Sequence, residues 1–566
     1  MGSSSLASSL TRRGGSGNSS SVATTQGRID RQKKYSNGMA QLNFQLFKWA
    51  KRQLDNGNIP ADAFYDGIVE NYRLQSSELH RRYNRNYGDI VVFGSGDCGQ
   101  LGCGESITEA RKPRILVNLR GQEMNMLASG GLHSIALTNN GTVHSWGCND
   151  EGSLGWLTTE EKADGALPSQ IMGFYPSQYG PNGTTDDMMD NNGRIIPFQK
   201  RKEAVITQVA AGETQSLALS TTGDVYMWGN YKDNEGRGFR NMPPKDDLRK
   251  LTGNKDLDKL EEDDKLEWFQ PPRGNQDWPQ HLVQIPKKAK DISAGASFNA
   301  ALLEDDTIVT WGMGECGELA RPVAELNKKT TNEVIKNEFL KPNAPIWENP
   351  MLKRTVVGIS CGGYHILALS REQNGISVYS SGLNQYGQLG HGDTKPREQL
   401  TKIQYLEGQD ITKVEGGLHF SCFVDKTGKD LYTCGRGDYG QLGITLEQPD
   451  AGYLENLPRR TPLVYEPKGV VDNPKENSIN VDDIVEEDQP EIEQVSCGST
   501  HVLVLTKGGD AYSWGFGTSG ACGQGKNDDD VLRPKKLETK LKNTQGPTKC
   551  EVQYVSGGGQ HSAVIV

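Results

Sequence analysis

One short pattern recurs seven times along the 566 residues, and one copy is divided between the two ends of the chain. Residues 128–147 read ASGGLHSIALTNNGTVHSWG, and related text begins at 210, 293, 360, 414 and 496. Residues 556–566, SGGGQHSAVIV, start the pattern and then stop; the missing second half, IVVFG, stands at 90–94. A repeat cut in this way predicts that its halves meet in one sheet and thereby join the ends of a closed ring.

Each copy opens with small residues, usually including Gly, which permit a tight turn and close backbone approach. An alternating apolar stretch follows, such as Ile135 and Leu137, Leu217 and Leu219, or Leu503 and Leu505. Period two means strand. A polar turn of the Asn140-Gly141 or Gly508-Gly509 type then leads into a second strand, the pattern of a hairpin. That second strand ends in a fixed pair, Trp146-Gly147, Trp228-Gly229, Trp311-Gly312 and Trp514-Gly515, after which several copies continue with GQLG. Gly starts at 130, 212, 295, 362, 416, 498 and 558 pair with strand ends at Phe93, Trp146, Trp228, Trp311, Ser381, Cys434 and Trp514. The expected fold is therefore all-β, a seven-bladed propeller of four-stranded antiparallel blades closed by pairing of the terminal strands. The Trp residues are read as inter-blade packing.

The net charge of −10 excludes a molecule that is basic as a whole, so any nucleic-acid contact must be local. No apolar run reaches the roughly 18 residues of a membrane span. The ten cysteines form no CxxC pair, and several fall where other copies carry small residues, as buried thiols would. No HExxH, paired-carboxylate or nucleophile-elbow text occurs, so no metal, cofactor or covalent chemistry is expected. Insertions at about 156–204, 239–290, 321–355 and 444–493 are polar and read as loops between blades.

The first 89 residues differ from the rest. Residues 1–38 form an expected disordered basic tail, Ser- and Gly-rich to 27 and carrying Arg12, Arg13, Arg28, Arg31, Lys33 and Lys34. Such an arm on an acidic body suits a polyanion or an import signal; an inert solubilising tail is the alternative. Residues 39–89 predict a helical extension, with one helix over 39–54 and a second from 61 to about 83, packed on the propeller or bound to a partner. The propeller itself is assigned to 90–566.

Blade-specific text goes beyond the general repeat. GSGDCGQLGCGESITEARKP at 94–113, WGCNDEGSLG at 146–155, GNYKDNEGRG at 229–238 and GRGDYGQLG at 435–443 occur in order. On these residues the chain resembles the regulator of chromosome condensation family, over about 90–566. The resemblance implies a seven-bladed propeller acting as guanine-nucleotide exchange factor for the small GTPase Ran, as a monomer on chromatin in the nucleus, without a membrane.

The resemblance also implies roles for particular residues. Tyr231, Lys232, Asp233, Asn234, Glu235, Gly236 and Arg237 lack the Leu that other copies turn inward, and match a wedge that enters the GTPase beside its phosphate-binding loop. His419 matches a histidine that affects exchange; Asp97, His133 and His561 match partner-facing positions. Glu213 and Ser297 stand where the family has Asp. Glu keeps the charge, and Ser loses it. Lys328 and Lys329 match a nucleosome-contacting basic loop with Lys in place of Arg, without the bidentate fork; the basic tail (Arg12, Arg13, Arg31, Lys33, Lys34) adds a second chromatin contact. Five of the seven positions three after the first Gly are His by this alignment, among nine in the chain; they are blade-turn hydrogen-bonding residues or line a docking face. A propeller scaffold without exchange activity is the competing reading, motivated by Ser297 and the added helices.

Overall fold

In the computed structural model, the residues described are 87–156, 164–174, 203–230, 276–282, 285–321, 342–351, 354–373, 375–445, 447–464, 489–525, 529–543 and 546–566. The segments read as helices over 39–54 and 61–83, the basic tail, the 231–237 hairpin and Lys328–Lys329 lie outside them. Residues 85–566 form one compact unit.

Seven small antiparallel sheets form the blades of that unit, and a two-stranded sheet, Lys540–Asn543 with Gly546–Lys549, stands beside them. Blade 1 runs through Met124–Ser129, His133–Thr138, Val143–Cys148 and Asp164–Gln170; blade 2 through Ile206–Ala211, Gln215–Ser220, Val225–Gly229 and Gln276–His281. Blade 3 contains Ala289–Ala294, Phe298–Leu303 and Ile308–Gly312. Blade 4 has Thr355–Cys361, His365–Glu372, Gly375–Gly382 and Arg397–Lys402; blade 5 has Ile411–Gly416, Phe420–Asp425, Leu431–Arg436 and Leu454–Arg460; blade 6 has Ile492–Cys497, His501–Thr506, Ala511–Gly515 and Val531–Lys536. The seam blade joins Tyr554–Gly557 and His561–Ile565 to Ile90–Ser95 and Glu109–Ile115. Its central register pairs Ile90 with Ile565 and Gly94 with His561, so the divided repeat is one continuous sheet.

Each blade except blade 3 has four strands among the described residues. In blade 3 the outer edge is an isolated bridge between Thr310 and Asn343, whose carbonyls are both held by the Arg321 guanidinium. In the six blades other than the seam, the innermost strand skips one residue against its partner, a repeated bulge that adds local twist.

The core lies between blades rather than within them. Phe93, Trp146, Trp228, Trp311 and Trp514 are fully buried, and the strand-end column read from sequence holds at Ser381 and Cys434 as well. Trp146 packs against Val92, Leu101 and Ala563 of the seam blade, and its indole N–H donates to the Gln100 carbonyl at 2.9 Å. Trp228 and Trp514 repeat that bond, to the carbonyls of Ser153 and Gln441. The Trp residues are thus inter-blade cement, as their recurrence predicts. The glycine of the aromatic-Gly pair is required by geometry. At Gly147 φ is 115°, and a Cβ there would stand 2.4 Å from the Leu132 carbonyl oxygen.

Candidate functional site

The Gly-rich turns between the first and second strands of every blade gather at one end of the ring. They are joined laterally by backbone hydrogen bonds: Gly131 N–H to Gly212 O, Ala296 N–H to Gly363 O, Gly363 N–H to Gly417 O, Ser499 N–H to Gly558 O and Gly559 N–H to Gly130 O. The close approach leaves no room for side chains; a Cβ on Gly130 would lie 2.4 Å from Gly212 O. The GQLG-type turns open on the same end, so one face collects two loops per blade.

Within those turns the residue that begins each second strand points inward. The Nε2 of His133 meets Ser216 Oγ at 2.9 Å, His365 meets Ser421 at 2.8 Å, His501 meets Ser562 at 2.8 Å, and His561 meets Ser134 at 2.7 Å. Each pair links one blade to the next, and the last crosses the seam. Burial pushes His133 and His501 down to about 4, and His365 and His561 to about 3, so these rings are neutral at physiological pH. His133 and His561 are therefore interior clasps; their exposed neighbours are Leu132 and Gln560.

The blade 5 turn corrects the sequence alignment by one residue. Gly417, not Gly416, occupies the place of Gly130, since a Cβ on it would strike the Phe420 ring as one on Gly130 would strike His133. Phe420 pairs with Gly435 as His133 pairs with Gly147. The inward column is thus His133, Gln215, Phe298, His365, Phe420, His501 and His561, with four histidines rather than five. His419 belongs to the outward column, beside Leu132, Thr214, Ser297, Tyr364, Thr500 and Gln560.

The outward positions divide the face into two sectors. Asp97, Glu213 and Ser297 are exposed, with Asp97 accepting a hydrogen bond from Ser95 Oγ at 3.2 Å. Asp150, Glu151 and Glu315 stand in the neighbouring turns of blades 1 and 3. Blades 4 to 6 instead carry rings. His419 stacks on Tyr364 at 5.5 Å and 14°, and lies 5.1 Å from Tyr386. The Arg436 guanidinium lies over Tyr386 and Tyr439, at 5.2 and 4.9 Å, and Tyr439 meets Phe516 edge-on at 5.1 Å. Arg436 is also bound to Asp438 through Nε and Nη2, each at 2.8 Å. Burial, then Arg436, holds His419 down at about 4. Asp97, Glu213, Ser297 and His419 thus share one face. The ring sector escaped the sequence reading, although Tyr386, Tyr439 and Phe516 all occupy the turn that follows the strand-end glycines Gly382, Gly435 and Gly515.

Below the face runs a central channel of about 400 Å³ lined by the innermost strands, with Asp291 and Glu415 on its wall. Burial pushes Glu415 up to about 8, and Ser360 Oγ donates to it at 3.3 Å. All ten cysteines are free thiols, no group of side chains among the described residues has a metal-binding arrangement, and no described helix is long and apolar enough to cross a membrane.

A ring of seven blades sealed by its terminal strands, with blade-specific turns, can be compared with known proteins over its whole length. A family model described as the RCC1-like domain matches residues 89–564. The chain belongs to the RCC1-like family. Among its RCC1-like relatives, the regulator of chromosome condensation of Mus musculus is 26% identical over 507 residues, covering 88% of this chain and 95% of that protein. The guanine nucleotide exchange factor SRM1 of Saccharomyces cerevisiae is 30% identical over 489 residues, covering 84% and 86%. The crystal structure of Prp20p from Saccharomyces cerevisiae, described with its binding to Gsp1p and histones, superposes with a TM-score of 0.59 at 24% identity, covering 88% of this chain and 93% of Prp20p.

Proposed function

We propose that this RCC1-like chain is a guanine-nucleotide exchange factor for a Ran-like small GTPase, acting at chromatin in the nucleus and without covalent chemistry. The observation that carries the reading is the match to the yeast exchange factor, which spans the propeller rather than a single repeat. The two-sector face supports it by offering exposed carboxylates at Asp97 and Glu213 to a basic protein surface. The wedge is assigned to Tyr231–Arg237. Its point of departure is on that face, because Asn230 N–H donates to the Thr214 carbonyl at 2.9 Å in the blade 2 turn.

A GTPase holds its nucleotide with Mg²⁺, a lysine and the backbone N–H groups of its phosphate-binding loop. Displacing that loop weakens these contacts together. Coupling is reciprocal, so nucleotide weakens the wedge complex by the factor by which the wedge weakens nucleotide. The nucleotide-free complex is then tight, and incoming GTP or GDP disperses it. Chromatin residence is assigned to Arg12, Arg13, Arg31, Lys33, Lys34 and the Lys328–Lys329 pair; the histone binding of Prp20p supports it.

The test is complex formation. The full chain and nucleotide-free Ran should co-elute on size exclusion, and added GDP should separate them. Replacing 231–237 by a short Gly-Ser turn should leave the melting temperature unchanged and abolish stimulated GDP release. Absence of any complex at micromolar concentrations contradicts the reading; undiminished release by the replaced chain removes the wedge from it.

A further inference from the structure

We infer that Cys422 and Cys497 form a peroxide-oxidisable thiol pair that closes to a disulfide between blades 5 and 6. The Cys497 S–H donates to Cys422 Sγ at 3.5 Å, from the inner strand of blade 6 to the second strand of blade 5. Bonded sulfurs stand about 2.05 Å apart, so the two need to approach by about 1.5 Å. Cys422 breaks its column. The residues aligned with it are Ile135, Leu217, Ala300, Leu367, Leu503 and Ala563, none of them a thiol. Cys361 shares the place of Cys497, each standing just before the glycine that opens its turn, but packs in the blade 3–4 interface with Ala300 where a second sulfur would be. Cys434, the other thiol of blade 5, packs on that blade's opposite side and donates to the Gln388 carbonyl at 3.6 Å.

The two thiols are unequally placed. Cys422 is 1% exposed, whereas Cys497 is only partly buried and lines the central channel. An oxidant arriving through that channel therefore reaches Cys497 first. Hydrogen peroxide, little larger than water, needs no opening beyond the channel itself. The Cys497 sulfur, on losing its proton, attacks one peroxide oxygen; an S–O bond forms, the O–O bond breaks, and the expelled hydroxide takes up the proton as water. The Cys422 sulfur then attacks the oxidised one. An S–S bond forms, the S–O bond breaks, and the departing hydroxide takes the Cys422 proton as a second water. Two thiols have lost two electrons, and one peroxide has become two waters. Burial, then Cys422 and Glu415, keep the proton on Cys497, so the first step is slow and the pair registers sustained rather than brief exposure. The product staples neighbouring blades across a separation of 75 residues in sequence.

Treatment of the full chain with hydrogen peroxide, then alkylation of the remaining thiols and peptide mass spectrometry without reductant, tests this. Met351, 91% exposed, reports through its sulfoxide that peroxide was delivered. The expected product is a linked pair of peptides holding Cys422 and Cys497, with Cys361 and Cys434 still open to alkylation. The oxidised chain should melt about 2–5 °C higher, and dithiothreitol should return it to the parent value. Cys422→Ala and Cys497→Ala introduce the residue that other blades carry at these places, Ala300 and Ala211, and should fold. Neither variant should gain melting temperature on treatment, and Cys422→Ala should accumulate a dimedone-reactive sulfenic acid at Cys497. Cys361→Ala should form the link as the parent does. Met351 sulfoxide without the link overturns the inference, as does an undiminished rise in melting temperature in either pair variant.

Discussion

At the scale of single residues, the informative positions are those where one copy breaks the column. Glu318 is such a case. Gln100, Gln388 and Gln441 accept a backbone N–H within their turns through the side-chain carbonyl, and Glu318 accepts the Cys316 N–H at 2.7 Å with a carboxyl oxygen. Burial, with Glu315 nearby, pushes this carboxyl up to about 7. Its folded form therefore keeps a proton that the unfolded chain releases near pH 4.5, and stability is lost as pH rises from there through about 7. Glu318→Gln keeps the hydrogen bond and removes the proton linkage. Thermal melts should show a gain of about 1–3 kcal/mol at pH 8.5 and almost none at pH 4; an equal gain at both would refute the linkage. The two histidine columns separate in the same way. His561→Ala removes the shorter of the two bonds of Ser134 Oγ, leaving the one to the Gln100 carbonyl at 3.4 Å, and opens a cavity; it should cost about 2–4 kcal/mol in a denaturant melt. His419→Ala should cost far less stability and instead weaken nucleotide-free Ran binding. Sequence alone placed all these histidines in one column, because the one-residue offset at Gly416-Gly417 changes side-chain direction without changing composition.

At the scale of elements, the seam decides whether the blades form a ring. Ile90–Ser95 has one hydrogen-bonding neighbour from its own end of the chain, Glu109–Ile115, and one from the other, His561–Ile565. The His561–Ser134 clasp and the Gly559 N–H to Gly130 O bond extend that closure to blade 1. Deleting 561–566 removes the strand that holds the two halves together and bares two edges, while leaving blades 1 to 6 intact in sequence. The expected result is loss of a single cooperative melting transition and early amide exchange in Ile90–Ser95. A deletion variant that melts as the parent does would show that the ring is stable unsealed. This element-level architecture was legible because strands of period two and the fixed aromatic-Gly ends repeat with little variation. The blade 3 edge was not: among the described residues its outer strand is the Thr310–Asn343 bridge alone, and nothing in the local text marks that.

For the whole molecule, the face matters more than the net charge. The chain is acidic overall, yet on the end where the turns gather the exposed Asp97 and Glu213 lie in the seam blade and blade 2, while Tyr364, Tyr386, Tyr439 and Phe516 lie in blades 4 to 6. Sequence reading reached Asp97 and Glu213 through the family resemblance, which matches them to positions where the family faces its partner or carries Asp. It missed the ring sector because stacking between Tyr364, His419, Tyr386 and Arg436 joins residues of blades 4 and 5, and only the packing of those neighbouring blades brings them together. The exchange activity proposed for this face is measured most directly by release of labelled GDP from Ran. Saturating full chain should accelerate release by at least about 100-fold over the intrinsic rate, with the acceleration lost when 231–237 is replaced. A release rate indistinguishable from that of Ran alone would contradict the account.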